Sequence, residues 1–156
     1  MIIFRENRKH NAFLSVLSVT FISENFEGGS YLLSKELPLV DINDYQNICI
    51  GLGGYLAEIN TQEEYDFIMA FLKESIPSGR EEALLGATDE DNEGEWVFMN
   101  SGLPVTYFNW FSSHGARGPG NDCMYLAWNA GDEGMHDWKC YLSKTRRYLC
   151  EIREGK

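Results

Sequence analysis

Apolar residues in this chain follow two helical stripes and then a series of short strand-like runs. Ile42, Tyr45, Cys49 and Leu52 recur at helical spacing behind Asp41, a good N-cap, and Gly53-Gly54 ends the stripe. Thr61 with Glu64 three positions on reads as a capping box. Tyr65, Ile68, Met69 and Leu72 then form a second stripe, closed by Pro77 and Gly79. Before the first helix, residues 31–33 read as a short strand, and Pro38 interrupts the chain between that strand and the helix. Further strands are predicted over residues 55–59, 83–87, 96–98, 123–128, 137–140 and 147–152, separated by an acidic turn at 89–94 and by turns at 100–102 and 129–134. Two early helices followed by many short strands predict an α+β fold.

One stretch departs from both periods. Residues 111–121 (FSSHGARGPGN) are small, polar and glycine-rich, and they lie between apolar runs carrying Trp96, Trp110 and Trp128. A long irregular loop held between aromatic strands is a favourable place for a binding site, because the scaffold fixes the loop while its polar groups stay exposed. Trp96, Phe98 and Trp110 are expected in the core. Tyr107, Phe111, Tyr125 and Trp128 could serve either the core or a ligand, and Asp132 and Glu133 read as a solvated turn.

Composition narrows the classes. At 156 residues and 44% hydrophobic, the chain can bury one sizeable core. The net charge of -11 leaves no basic patch for nucleic acid, and no apolar run is long enough to span a membrane. Four cysteines, at 49, 123, 140 and 150, lack the C-x-x-C spacing of a zinc ribbon. They suit two disulfides in an oxidising compartment, with three connectivities open. At the N-terminus, Arg5, Arg8 and Lys9 precede an apolar run over residues 12–22, which reads either as a degenerate secretory signal or as an ordinary strand. Glu27-Gly28-Gly29 marks a boundary between an extension, residues 1–27, and a domain, residues 28–153. No nucleophile–base–orienter set or phosphate loop is present, so the chain does not read as an enzyme.

Six landmarks in order resemble the C-type lectin-like domain. GGYLAEI at residues 53–59 is similar to the family's G-G-x-L-A-x-I, and LLGATD at 84–89 to W-I-G-L-T-D with the tryptophan replaced. Gly94-Glu95-Trp96 and Tyr107-Phe108-Asn109-Trp110 resemble G-x-W and Y-x-N-W. Asn121-Asp122-Cys123 resembles E-D-C, and Tyr148-Leu149-Cys150-Glu151 resembles F-I-C-E. The resemblance is to the short, secreted, invertebrate-like form. It implies the pairing Cys49–Cys150 and Cys123–Cys140, two helices, short antiparallel sheets and a long binding loop.

It also implies carbohydrate or glycoprotein recognition at that loop, with calcium as cofactor. Aligned without gaps, the family's sugar-bridging calcium triplet falls on His114-Gly115-Ala116, the glutamate of E-D-C on Asn121, and W-N-D on Met135-His136-Asp137. Only Asp137 keeps its identity, so this position reads as impaired, with His114, Asn121, His136 and Asp137 as candidate ligand-binding residues. An auxiliary calcium position falls on Asp89, Glu93 and Asp122, with Arg117 where a fourth carboxylate is expected. Either calcium binds there with water, or the Arg117 guanidinium pairs with those acids instead. His114, His136 and Asp137 also suggest zinc or copper, because imidazole suits those ions. The alternative to sugar binding is calcium-independent recognition of a protein or mineral surface.

Overall fold

A computed structural model describes residues 19–38, 41–112, 114–115, 117–141 and 145–154. The basic segment with Arg5, Arg8 and Lys9, and the first part of the apolar run behind it, lie outside these residues. The end of that run is strand β1 (Val19–Ile22), which pairs antiparallel with β2 (Gly29–Ser34). Next come β3 (Leu37–Pro38), helix α1 (Ile42–Gly51), β4 (Tyr55–Leu56) and helix α2 (Gln62–Ser75). The remaining elements are β5 (Glu81–Thr88), β6 (Val97–Phe98), β7 (Cys123–Trp128), β8 (Gly134–Trp138) and β9 (Thr145–Arg153). The main path runs β1-β2-β9-β5-β7-β8, with β3 and β4 on β9 and β6 on β5. The β5–β9 pair is parallel, and the other named pairs are antiparallel.

Alternation along the central strands divides the interior into two cores. Ala83, Leu85, Met124, Leu126, Trp128 and Leu149 face one way and pack with Tyr65, Ile68, Met69 and Leu72 of α2. Leu84, Tyr125, Tyr148 and Cys150 face the other way and pack with Ile42, Tyr45 and Cys49 of α1. Strands covered on both faces carry continuous apolar runs, and all six residues of β7 are buried. Trp128 and Tyr125, open between core and ligand in the sequence, are therefore core residues.

Both helices start where their caps predict. Asp41 Oδ1 accepts the Asn43 N–H at 2.9 Å, and Thr61 Oγ1 accepts the Glu64 N–H at 3.1 Å. The capping box is only half formed. Glu64 does not return to Thr61. Its Oε2 accepts the Asn60 N–H at 2.7 Å, and its Oε1 takes the Tyr31 hydroxyl at 2.5 Å and Arg153 Nη2 at 3.2 Å. Burial, then the bond to Glu64, pushes the Tyr31 hydroxyl far above its ordinary range, so it stays a donor. Arg153 also donates from Nε to Glu151 Oε1 at 2.6 Å. One guanidinium thus serves two buried carboxylates, from α2 and β9.

Two strands differ from their patterns. The run over residues 55–59 keeps backbone bonds through Ala57, to Leu149 and Gly86, and stops at Glu58, whose N–H goes to the Glu151 side chain at 3.1 Å. Glu58 in turn accepts the Asn100 and Ser101 N–H groups, each at 2.9 Å, and so holds the turn after β6. The strand expected over residues 137–140 lies earlier, at Gly134–Trp138, because it pairs with β7 from Ala127↔Gly134 to Cys123↔Trp138.

The disulfides are Cys49–Cys150 and Cys123–Cys140. The first joins α1 to β9, and the second joins the start of β7 to the chain just after β8. Two glycines allow the layers to meet. A Cβ on Gly54 would stand 2.1 Å from the Glu151 carbonyl oxygen, and one on Gly86 would stand 2.4 Å from that of Leu56. Both obstacles are backbone. Gly54→Ala should therefore destabilise the domain by about 3 kcal/mol, the upper end for overpacking, as measured by urea unfolding. A change below about 0.5 kcal/mol would show that β4 and β9 can separate freely.

Candidate functional site

The long loop is laid along the free edge of β8. Phe111 N–H donates to the Met135 carbonyl at 3.0 Å, Met135 N–H to that of Asn109 at 2.8 Å, and Asp137 N–H to that of His114 at 2.9 Å. Gly115 sits against the Trp110 indole, where a Cβ would stand 2.2 Å from the ring. Trp110 itself is half-buried between Trp96 and Phe108. This path brings His114, Arg117, His136 and Asp137 together.

Asp137 is only 2% exposed. Its Oδ2 accepts the Arg117 backbone N–H at 2.8 Å, and Arg117 Nε lies 3.1 Å from Oδ1. His136 Nε2 stands 2.7 Å from the Asp132 carbonyl oxygen, which only accepts, so that nitrogen carries the proton. Its Nδ1 is then the acceptor facing Arg117 Nη2 at 3.3 Å. The His114 ring lies 4.5 Å from that of His136, and the Phe111 ring stacks on His136 at 5.6 Å. Burial, followed by the nearby Arg117 charge, lowers the His114 pKa. Asn121 is half-buried and turned back on its own loop, its side-chain amide donating to the Gly118 carbonyl at 3.3 Å.

These contacts weigh against two readings of the sequence. Arg117 pairs with Asp137 and not with Asp89, Glu93 and Asp122. The zinc or copper reading loses His136, because both its nitrogens are engaged, and among the described residues His114, His136 and Asp137 do not form a three-ligand group. The donors at the sugar-bridging position do not fit calcium either: one carboxylate, already paired, beside two imidazoles. Ala116 lies outside the described residues.

Asp89, Glu93 and Asp122 present a different chemistry. They offer one carboxylate oxygen each, all within 4.8 Å of one another. The Asp89 N–H bonds the Asp122 carbonyl at 3.2 Å, which joins the end of β5 to the residue before β7. Asp89 Oδ2 accepts the Gly94 N–H at 2.8 Å, while its buried Oδ1 has no hydrogen-bond partner. Burial, opposed by the Gly94 bond and reinforced by the Asp122 charge, holds the Asp89 carboxyl above the usual carboxylate range. Three convergent carboxylates with a buried unpartnered oxygen fit a hard divalent cation.

Sequence reasoning passed over Trp138 and Asp132. Trp138 is 36% exposed, and the Arg117 guanidinium carbon lies 5.1 Å from its ring. Strand alternation about the buried Asp137 would have turned it outward. Asp132, read as a solvated turn residue, fixes the His136 ring through its carbonyl and pairs with Arg80 at 2.9 Å.

A family model described as "Lectin C-type domain" matches residues 40–152, and the chain belongs to that family. The family is one of binding domains rather than enzymes. The chain is 32% identical over 104 residues to a tetranectin-like protein of Carcharhinus perezii, a match covering 66% of this chain and 59% of that protein's length. Among solved structures it resembles the mouse scavenger receptor C-type lectin carbohydrate-recognition domain, with 29% identity, a TM-score of 0.68, and coverage of 85% of this chain and 94% of that one. Human lithostathine, at 20% identity and a TM-score of 0.70, covers 84% of this chain and 88% of its own, and shares the fold.

Gly115→Ala should lift the loop from the Trp110 indole, change the tryptophan emission and cost about 1–3 kcal/mol in thermal or urea unfolding. Unchanged emission and stability would mean that the loop does not depend on this contact.

Proposed function

We propose that this domain is a secreted recognition module that binds carbohydrate on the face formed by the long loop and β8, with calcium held beside that face. The observation that carries the reading is the loop laid along β8, with Trp138 half-exposed beside Arg117. An aromatic ring next to fixed polar groups suits a sugar, which offers an apolar face for stacking and hydroxyls for hydrogen bonds. The likeness to a carbohydrate-recognition domain at 29% identity supports the same ligand class. Two disulfides favour an oxidising, extracellular setting. Among the described residues, no helix is long and apolar enough to cross a membrane.

Asp89, Glu93 and Asp122 would hold the ion. Calcium there supplies a positive charge that offsets three crowded carboxylates and fixes the acidic turn against the base of the loop. The recognition residues are Trp138, Asn121, and the His114, His136 and Asp137 group that shapes the loop.

A glycan array, run with calcium and with EDTA, tests the ligand class. Binding to a defined set of sugars is expected, reduced at least tenfold by Trp138→Ala. Silence from folded protein on a broad array would move the reading to a protein or mineral surface, which the exposed Glu90, Asp91, Glu93 and Glu95 favour.

Calcium itself is tested by melting. At a hundredfold excess over its dissociation constant it should stabilise the domain by about 2.7 kcal/mol. That corresponds to roughly 5–10 °C in Tm for a domain of this size. Asp122→Asn should lose most of the shift, and an equal shift in the variant would place the ion elsewhere.

A further inference from the structure

We propose that Arg117 is a built-in cation that staples the long loop to β8, so that the order of the loop tip does not depend on calcium. The inference deepens the long-loop reading above and concerns how that site is held.

Asp137 is a buried carboxylate, and such a group needs a compensating charge and a hydrogen bond. One residue supplies both. Arg117 donates its backbone N–H to Oδ2 and places its guanidinium Nε at 3.1 Å from Oδ1, so Asp137 fixes the main chain and the side chain of the loop together. The guanidinium is then gripped by the two flanking side chains, with Nη2 on His136 Nδ1 and its plane over the Trp138 ring.

Successive strand residues point to opposite faces, so contact with 136, 137 and 138 at once places the guanidinium at the edge of the sheet. β8 is the terminal strand of the main path, and Arg117 covers its end. The planar donor fork of arginine suits this position, whereas the point charge of lysine reaches one neighbour at a time.

The second anionic site is treated differently. Asp89, Glu93 and Asp122 converge with no arginine or lysine ion pair among the described residues, whereas Asp137 has the Arg117 guanidinium beside it. The domain thus has one acidic position closed by its own side chain and one left open to an exchangeable ion. Removing calcium would relax the acidic turn and leave the Arg117 staple in place.

Amide hydrogen exchange, followed with calcium and with EDTA, tests this directly. In the wild-type domain, the Arg117 and Asp137 amides should keep their protection within twofold in EDTA. In Arg117→Gln both should exchange at least tenfold faster in either condition, with Arg117→Lys restoring part of the protection and the uncharged, apolar Arg117→Met restoring none. Loss of protection in wild-type protein on adding EDTA would overturn the proposal, as would full protection in Arg117→Gln. The wild-type comparison decides the matter even if a variant does not fold. Because exchange is read without ligand, a failed glycan array would remove the sugar reading and leave this result standing.

Discussion

Strand β9 is the constraint on which the rest of the structure depends. It is bonded to β2, β3, β4 and β5, and Cys150 in its middle is tied to Cys49 of α1. Its Glu151 and Arg153 anchor the buried network that reaches Tyr31, Tyr55, Glu58 and Glu64. Layers that meet this closely leave no room for Cβ atoms at Gly54 and Gly86. A ring of this size closed by a disulfide contributes about 4–5 kcal/mol in the chain-entropy account. That contribution matters in a domain where β3, β4 and β6 are each two residues long.

Much of this scaffold was legible. The helical stripes, the caps at Asp41 and Thr61, and the apolar run of β7 have local causes that a sequence displays. The cysteine pairing was not local: three connectivities were open until the family resemblance selected one. What escaped was wherever a side chain displaced a backbone partner. Glu58 gives its N–H to Glu151 and ends β4 early, and Glu64 abandons half of its capping box for Tyr31 and Arg153. Each choice is made by a residue distant in sequence, so neither periodicity nor propensity records it.

The candidate site was legible in its parts and not in its pairings. Alignment with the family pattern placed Asp89, Glu93 and Asp122 together, and His114, His136 and Asp137 near one another. It did not say which acid Arg117 would choose. That depends on the path of the loop along β8, set by the bonds at Asn109, Phe111 and His114 and by the fit of Gly115 under Trp110. The same path turns Asn121 inward and brings Arg117 over Trp138. The scaffold alone does not name the ligand, because function lives in the site grafted on the fold.

The parallel pairing of β5 with β9 carries a consequence for biosynthesis. Ala83 is registered with Arg147, and Leu84 with Tyr148, across more than half the domain's contour. A ribosome emits the chain from its N-terminal end, so β2, β4 and β5 all leave the exit tunnel without the strand that joins them. Until β9 emerges, Cys49 has no native partner and β5 lacks the parallel neighbour that connects it to β2. The last strand of the domain to be made is thus the one that joins its earlier strands, and the sheet closes only when that strand arrives.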